Sequence, residues 1–213
     1  MKQFITVVRK IMKFKTKQEI FWNEKFGTAY TKRNINSNNR VNTIGRDLFK
    51  NNLKINSALE FGSNVGYNLD ALKIIFPNIK TYGVEINKKA YLICKKKHIC
   101  YHKSILDFKI EKKFDIVFTC GVLIHQNPKY LKKIYSKIYN YSKKYIYILE
   151  YFSPKPIMIV YRNNKNKLFK RDFAKEIWEM YPKLKLLDYG FHLKQDNSLK
   201  GNCDNDNWFL FRK

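Results

Sequence analysis

The stretch Ser57-Ala-Leu-Glu-Phe-Gly-Ser-Asn-Val-Gly-Tyr-Asn68 decides the fold. Its first five residues read as a buried strand, and residues 65–76 read as a helix that Pro77 stops. Between them lies a tight turn. Gly62 lets the backbone reverse sharply, and Gly66 lets the helix sit close to the strand and to a ligand. Asn64 stands where dinucleotide-binding turns carry glycine. Asparagine tolerates positive φ, so the turn stays feasible, but a pyrophosphate pressed against this backbone is disfavoured.

Outward from the turn, strands and helices alternate. Strands are expected at 81–84, 99–102, 114–119 and 145–150, with helices at 88–97 and 128–142, the latter opened by Pro128. Alternation of this kind predicts a parallel sheet covered on both faces. A helix at 172–181 and strands at 184–191 and 208–212 follow, separated by a polar loop. The predicted class is α/β: a Rossmann-like, seven-stranded, mostly parallel sheet with helices on both faces and an N-terminal helical cap. Residues 1–40 form the basic lead-in and cap. Within that segment, apolar Ile20, Phe21, Phe26 and Tyr30 fit one helix over 17–33, capped by Thr16. Residues 41–213 form the main domain, opened by a helix at 41–50 and interrupted by an excursion at 151–170 on the acceptor side.

Composition narrows the function. At 213 residues the chain has room for one ordinary domain, and 45% apolar with 16% aromatic content argues for a packed core rather than disorder. No apolar run is long enough to span a bilayer, and no secretory leader is recognisable, so a cytoplasmic location is expected. The four cysteines (Cys94, Cys100, Cys120, Cys203) lack zinc-ligand spacing and are expected as reduced, packed thiols; no metal is predicted. A net charge of +26 invites a nucleic-acid partner. However, lysine dominates over arginine and is spread along the whole chain, as codon bias toward A and T also produces. A small anionic substrate suits that field equally well.

Nineteen residues beyond Gly66, at the end of the next strand, stands Glu85, placed to accept hydrogen bonds from both ribose hydroxyls of a nucleoside. Turn and acid together fit either NAD or S-adenosylmethionine. Glu60, just before Gly62, favours the latter, because an acid there can lie near the sulfonium or amino group of the methionine moiety.

Here the chain resembles the class I S-adenosylmethionine-dependent methyltransferases, through Glu60–Gly66, Glu85 and the segment Phe114-Asp-Ile-Val-Phe-Thr-Cys-Gly-Val-Leu-Ile-His125. The resemblance implies that Ile86, Ser104 and Ile105 lie against the adenosine end, and that Cys120, Gly121 and Val122 line the cofactor and acceptor site. More closely, it resembles the pseudaminic acid biosynthesis-associated methylases, through Phe21-Trp22, Phe26-Gly27 to Tyr30, Arg33-Asn34, Tyr82–Asn87 and Gly121–His125. That match continues through Glu150-Tyr151, Tyr161-Arg162, Leu168–Phe173, Asp188–Phe191 and Trp208–Leu210. It implies a nucleotide sugar or free sugar of a bacterial surface-polysaccharide pathway as acceptor.

Methyl transfer is an in-line displacement that needs an aligned, deprotonated nucleophile. His125 is the candidate base, since its ordinary pKa lies near neutrality; the alternative is a histidine that caps the following helix. Tyr30 and Arg33, on the cap, are candidate cofactor or acceptor contacts. Glu150 is placed to orient an acceptor hydroxyl or amine, and Tyr151, Tyr161, Arg162 and Arg171 to bind it. Arg162 offers a planar fork for a carboxylate or phosphate. His98 and His102 are expected to be solvated among lysines, and His192 has no assigned role. An RNA methyltransferase and a catalytically silent binding module of the same fold are the competing readings.

Overall fold

A computed structural model describes residues 14–35, 40–199 and 204–213. Its centre is a seven-stranded sheet in the order β3-β2-β1-β4-β5-β9-β8. The parallel part consists of β1 (Ser57–Phe61), β2 (Lys80–Glu85), β3 (Ile99–His102), β4 (Phe114–Cys120) and β5 (Ser142–Glu150). The last strand, β9 (Asp206–Arg212), runs antiparallel between β5 and β8 (Lys185–His192). The expected seven-stranded, mostly parallel sheet is what the structure contains.

Strand periodicity divides the core into two layers. Leu59, Phe61, Val117, Ile146 and Ile148 face α6 (Leu131–Tyr141) and α7 (Phe173–Met180). Ala58, Ile116, Phe118, Tyr147 and Leu149 face α3 (Ile44–Phe49) and α4 (Tyr67–Ile75). Fully buried Leu69 and Leu72 hold α4 to the sheet, each contributing about 2 kcal/mol by burial. With α4 pinned, the turn that precedes it is pinned as well. The helix starts at Tyr67, two residues later than expected, because Gly66 before it adopts a left-handed φ of 97°. Helix α5 (Lys88–Cys94) is opened by the Asn87 side chain, which accepts from the amides of Lys89 and Ala90.

The cap departs from the single predicted helix. Thr16 does cap α1 (Lys17–Asn23), in a reciprocal pair with Glu19. The chain then turns at Glu24 and restarts as α2 (Lys25–Asn34). At that corner Gly27 packs on the Trp22 carbonyl so closely that an added Cβ would lie 1.7 Å from its oxygen.

The excursion at 151–170 proves to be a hairpin of β6 (Ile157–Tyr161) and β7 (Asn164–Lys170). Its two-residue turn, Arg162-Asn163, has both φ values positive (46° and 64°), the mirror-image geometry that matches strand twist.

Candidate active site

The carboxyl ends of β1, β2 and β4 open into one cleft, roofed by α1 and α2. Its empty space, about 1040 Å³, includes a part open to solvent.

The floor is the Gly62–Gly66 turn. Gly62 donates its amide to the Val84 carbonyl (2.8 Å), and Asn64 sits at φ 45°, the conformation its residue type tolerates. Glu85 closes the turn on itself: Oε2 accepts from the Asn64 amide (2.8 Å) and Oε1 from the Asn87 amide (2.6 Å). Burial pushes the Glu85 carboxyl above its ordinary range, and the amides of Asn87, Asn64 and Ile86 pull it back. A carboxylate has about four lone-pair directions, so capacity remains beside these amides for a ribose.

Glu60 lies behind the cleft wall, fully buried, with its carboxyl pushed up to about 8 by burial. Oε1 accepts from Asn68 Nδ2 (2.6 Å), and Oε2 has no partner. Asn68 lines the cleft and leaves its own buried Oδ1 unpartnered. Ile86, Ser104 and Ile105 line the far end, where the Ser104 hydroxyl donates to Glu19 of α1 and ties the cap to the loop after β3.

The other wall is the loop after β4. Cys120, Gly121 and Val122 line the cleft, and Val122 touches the floor so closely that a Cβ on Gly62 would meet its Cγ2 at 2.5 Å. His125, on the short 3₁₀ turn Leu123–His125, also lines it. Its Nδ1 bonds the Lys167 carbonyl of β7 (2.6 Å); a carbonyl only accepts, so Nδ1 carries the proton and Nε2 the lone pair. The ring lies between Trp22 (4.6 Å) and Tyr161 (4.9 Å), and burial lowers its pKa to about 4. It is a neutral imidazole at physiological pH.

The remaining expected site residues divide. Tyr30 lines the cleft, its hydroxyl pKa raised by burial, while Arg33 is exposed on α2, near the Phe26 and Tyr30 rings. Glu150 stands behind the loop rather than in the cleft. Its carboxylate accepts the amides of Val122 (3.0 Å), Leu123 (2.9 Å) and Ile124 (3.3 Å), and burial raises its pKa to about 7. The oxygens expected to orient an acceptor thus orient the loop. The Tyr151 hydroxyl donates to Asp204 (2.6 Å), and Tyr161 backs His125. Arg162 sits at the exposed hairpin turn, and Arg171 donates to Glu176 (2.6 Å), which also accepts the Tyr135 hydroxyl.

Two histidines differ from expectation. His98 is buried, bonded to the Thr81 hydroxyl (2.8 Å) and against Gly66, where an added Cβ would meet its Cδ2 at 2.8 Å. The lysines around it point outward while its own ring turns in. His102 is half-buried, with Nε2 at 3.0 Å from the Ile86 carbonyl. His192 is buried and paired with Asp47 (3.0 Å). Cys94 packs beside Ser63, and Cys203 lies outside the described residues. Among the described residues no three His, Cys, Asp or Glu side chains are grouped to hold a metal ion, and no helix is long and apolar enough to cross a membrane.

Sequence reading missed Arg40, Asn68 and Gln18, all of which line the cleft. Gln18 joins three segments: Nε2 donates to the Asn166 carbonyl (3.0 Å), and Oε1 accepts from Asn127 Nδ2 (3.2 Å). Gln18 carries no local signal, since its partners are distant in sequence.

No protein-family model matches the chain, and no curated protein matches it in sequence. Solved structures do match in fold. The 1,6-didemethyltoxoflavin-N1-methyltransferase of Burkholderia thailandensis, with 1,6-didemethyltoxoflavin and S-adenosylhomocysteine bound, superposes at TM-score 0.67 and 11% identity, covering 88% of this chain and 84% of its own. An S-adenosylmethionine-dependent methyltransferase from Archaeoglobus fulgidus gives 0.64 and 16%, over 89% and 100%. The magnesium protoporphyrin IX methyltransferase of Synechocystis, with S-adenosylmethionine bound, gives 0.61 and 13%, over 95% and 100%. The fold is that of the class I methyltransferases.

Proposed function

We propose that this chain is an S-adenosylmethionine-dependent methyltransferase acting on a hydroxyl or amine of a small acceptor. The observation that carries the reading is Glu85, fixed by two amides at the mouth of the Gly62–Gly66 turn with lone pairs left for a ribose. The unpartnered amide oxygen of Asn68, which lines the cleft, suits the cationic methionine end of such a donor. Structures of the same fold that hold S-adenosylmethionine or S-adenosylhomocysteine support the choice over NAD.

The donor, when bound, supplies an electrophilic methyl carbon whose bond to sulfur breaks as the bond to the acceptor forms. Glu85 and the turn hold the adenosine end. Trp22 and the α1–α2 corner cover the cleft and exclude water. His125 takes the acceptor's proton at Nε2. A base with pKa about 4 suffices there, because a hydroxyl becomes strongly acidic as it gains the methyl group. Glu150 acts at one remove, holding the loop that carries Val122 and His125.

For the acceptor we infer an anionic sugar or nucleotide sugar of a surface-polysaccharide pathway of the nonulosonic acid type, met in the cytoplasm. The support is the ordered resemblance from Phe21 to Leu210 and a net charge of +26, which favours the approach of anions. Incubation with methyl-labelled donor and a panel of nucleotide sugars, free nonulosonic acids and RNA tests it. Label is expected in a sugar; label in RNA alone would overturn the acceptor assignment.

A further inference from the structure

The β6–β7 hairpin turns an apolar side to solvent. Strand alternation sends Ile159 and Tyr161 inward together with Leu168, the register partner of Ile159; Leu168 is buried, and Tyr161 packs on His125 and Trp22. The other side carries Met158 and Val160, 51% and 53% exposed, and Ile157 at the start of the strand is 45% exposed. Before β6, and across the turn after it, stand Lys155, Arg162 and Lys165, all exposed, and no acid lies between Glu150 and Asp172. Among the described residues no ion pair holds any of these three cations. Exposed aliphatic side chains flanked by unpaired cations fit an anionic bilayer, where the former enter the acyl boundary and the latter meet lipid phosphates. We infer that this hairpin docks the protein on the surface of an anionic lipid membrane.

The hairpin is held in place before any surface arrives. Asn164 Nδ2 closes its turn on the Arg162 carbonyl (2.7 Å). Gln18 ties β7 to the cap through the Asn166 carbonyl (3.0 Å), and His125 ties it to the loop after β4 through the Lys167 carbonyl (2.6 Å). Little freedom is therefore lost when the exposed row meets a membrane. Two further lysines are engaged locally: Lys167 Nζ donates to the Lys17 carbonyl (2.9 Å), and Lys170 lies over the Tyr151 ring. Arg162 lies 6.0 Å from the Tyr161 ring, a contact that leaves the edge of its guanidinium to solvent. A nucleic acid would use the same cations but has no place for Met158 and Val160, since base stacking needs flat π faces. A second copy would bring like charges together. Because Tyr161 on the inner side packs on His125 (4.9 Å), the docking face and the cleft share one hairpin.

Co-sedimentation tests the docking, with vesicles of equal parts phosphatidylglycerol and phosphatidylcholine set against phosphatidylcholine alone. Wild type should bind the anionic vesicles at least about tenfold more tightly. Met158→Ser/Val160→Ser should weaken that binding at least about tenfold, and Lys155→Gln/Lys165→Gln by about the same factor, both at unchanged melting temperatures. Lys80→Gln/Lys113→Gln, beside the amino ends of β2 and β4 at the opposite end of the sheet, removes the same charge and should cost less than about twofold. Should the first pair fail to fold, Met158→Ser alone is to show a loss of about threefold. Equal losses from the two lysine pairs would mean that charge spread over the whole surface binds the membrane, and would overturn the inference. So would undiminished binding by Met158→Ser/Val160→Ser, equal binding of both vesicles by wild type, or a dependence on the hairpin seen with RNA and not with vesicles.

Discussion

The two halves of the cleft are built from different kinds of sequence. In the proposed donor half, β1, its turn, α4 and the end of β2 lie within 29 residues, Ser57 to Glu85, and the Glu85 side chain closes on the turn through the Asn64 amide. The proposed acceptor half is assembled from the cap, the loop after β4 and the β6–β7 hairpin. Gln18, Asn127 and Asn166 meet there, as do His125 and the Lys167 carbonyl. The first half is made of conformations that few residues can adopt. The second is made of contacts that many residues could supply, which leaves it free to vary with the acceptor.

That contrast can be broken at the cap corner. Gly27→Ala puts a methyl 1.7 Å from a backbone oxygen that cannot yield, so we expect about 2–3 kcal/mol of destabilisation in urea melts and an open roof. An undisturbed melt would mean that the α1–α2 corner is not a fixed part of the site. Glu150→Gln sharpens the division. Its amide nitrogen faces three N–H donors, so the loop should loosen and acceptor kcat/KM fall roughly tenfold, about 1.4 kcal/mol. Affinity for S-adenosylhomocysteine should stay within about twofold; a parallel loss would mean that the halves are not separable.

Acidity offers a third handle. Glu60 has a folded-state pKa of about 8, raised by burial from 4.5, so the folded protein holds a proton that the unfolded chain has released. That contribution to stability is present at low pH and is lost as pH rises through 8. Between pH 7 and 8 the ligand-free protein should lose about 1 kcal/mol, and Glu60→Gln should remove this dependence. A pH-independent wild type would show that Glu60 is already ionised. The smallest effect belongs to the hairpin turn. Arg162→Gly relieves a positive φ and should raise stability by up to about 1 kcal/mol with turnover changed less than about twofold. A large loss of turnover would return Arg162 to the acceptor site.

The same contrast explains what could be read from residues alone. The turn, Glu85 and the alternation of apolar strands are legible because glycine, asparagine and buried periodicity report local constraints. Even there, Gly66 delays α4 by two residues. In the acceptor half, β6 escapes notice because Met158 and Val160 are exposed and its turn, Arg162-Asn163, lacks the usual glycine. The break at Glu24 depends on Gly27 meeting Trp22, a contact no helical periodicity records. Glu150 reads as a strand-end acid facing a ligand, and only the folded loop shows the three amides that occupy it. His98 looks solvated because lysines flank it, although its ring packs under Gly66.

The central claim is that Glu85 holds the ribose of a methyl donor, and calorimetric titration with S-adenosylmethionine tests it directly. Wild type should bind one equivalent, and Glu85→Ala should bind at least about 100-fold more weakly, having lost two hydrogen bonds to a charged group. No binding by wild type, or equal binding by Glu85→Ala, would contradict the account.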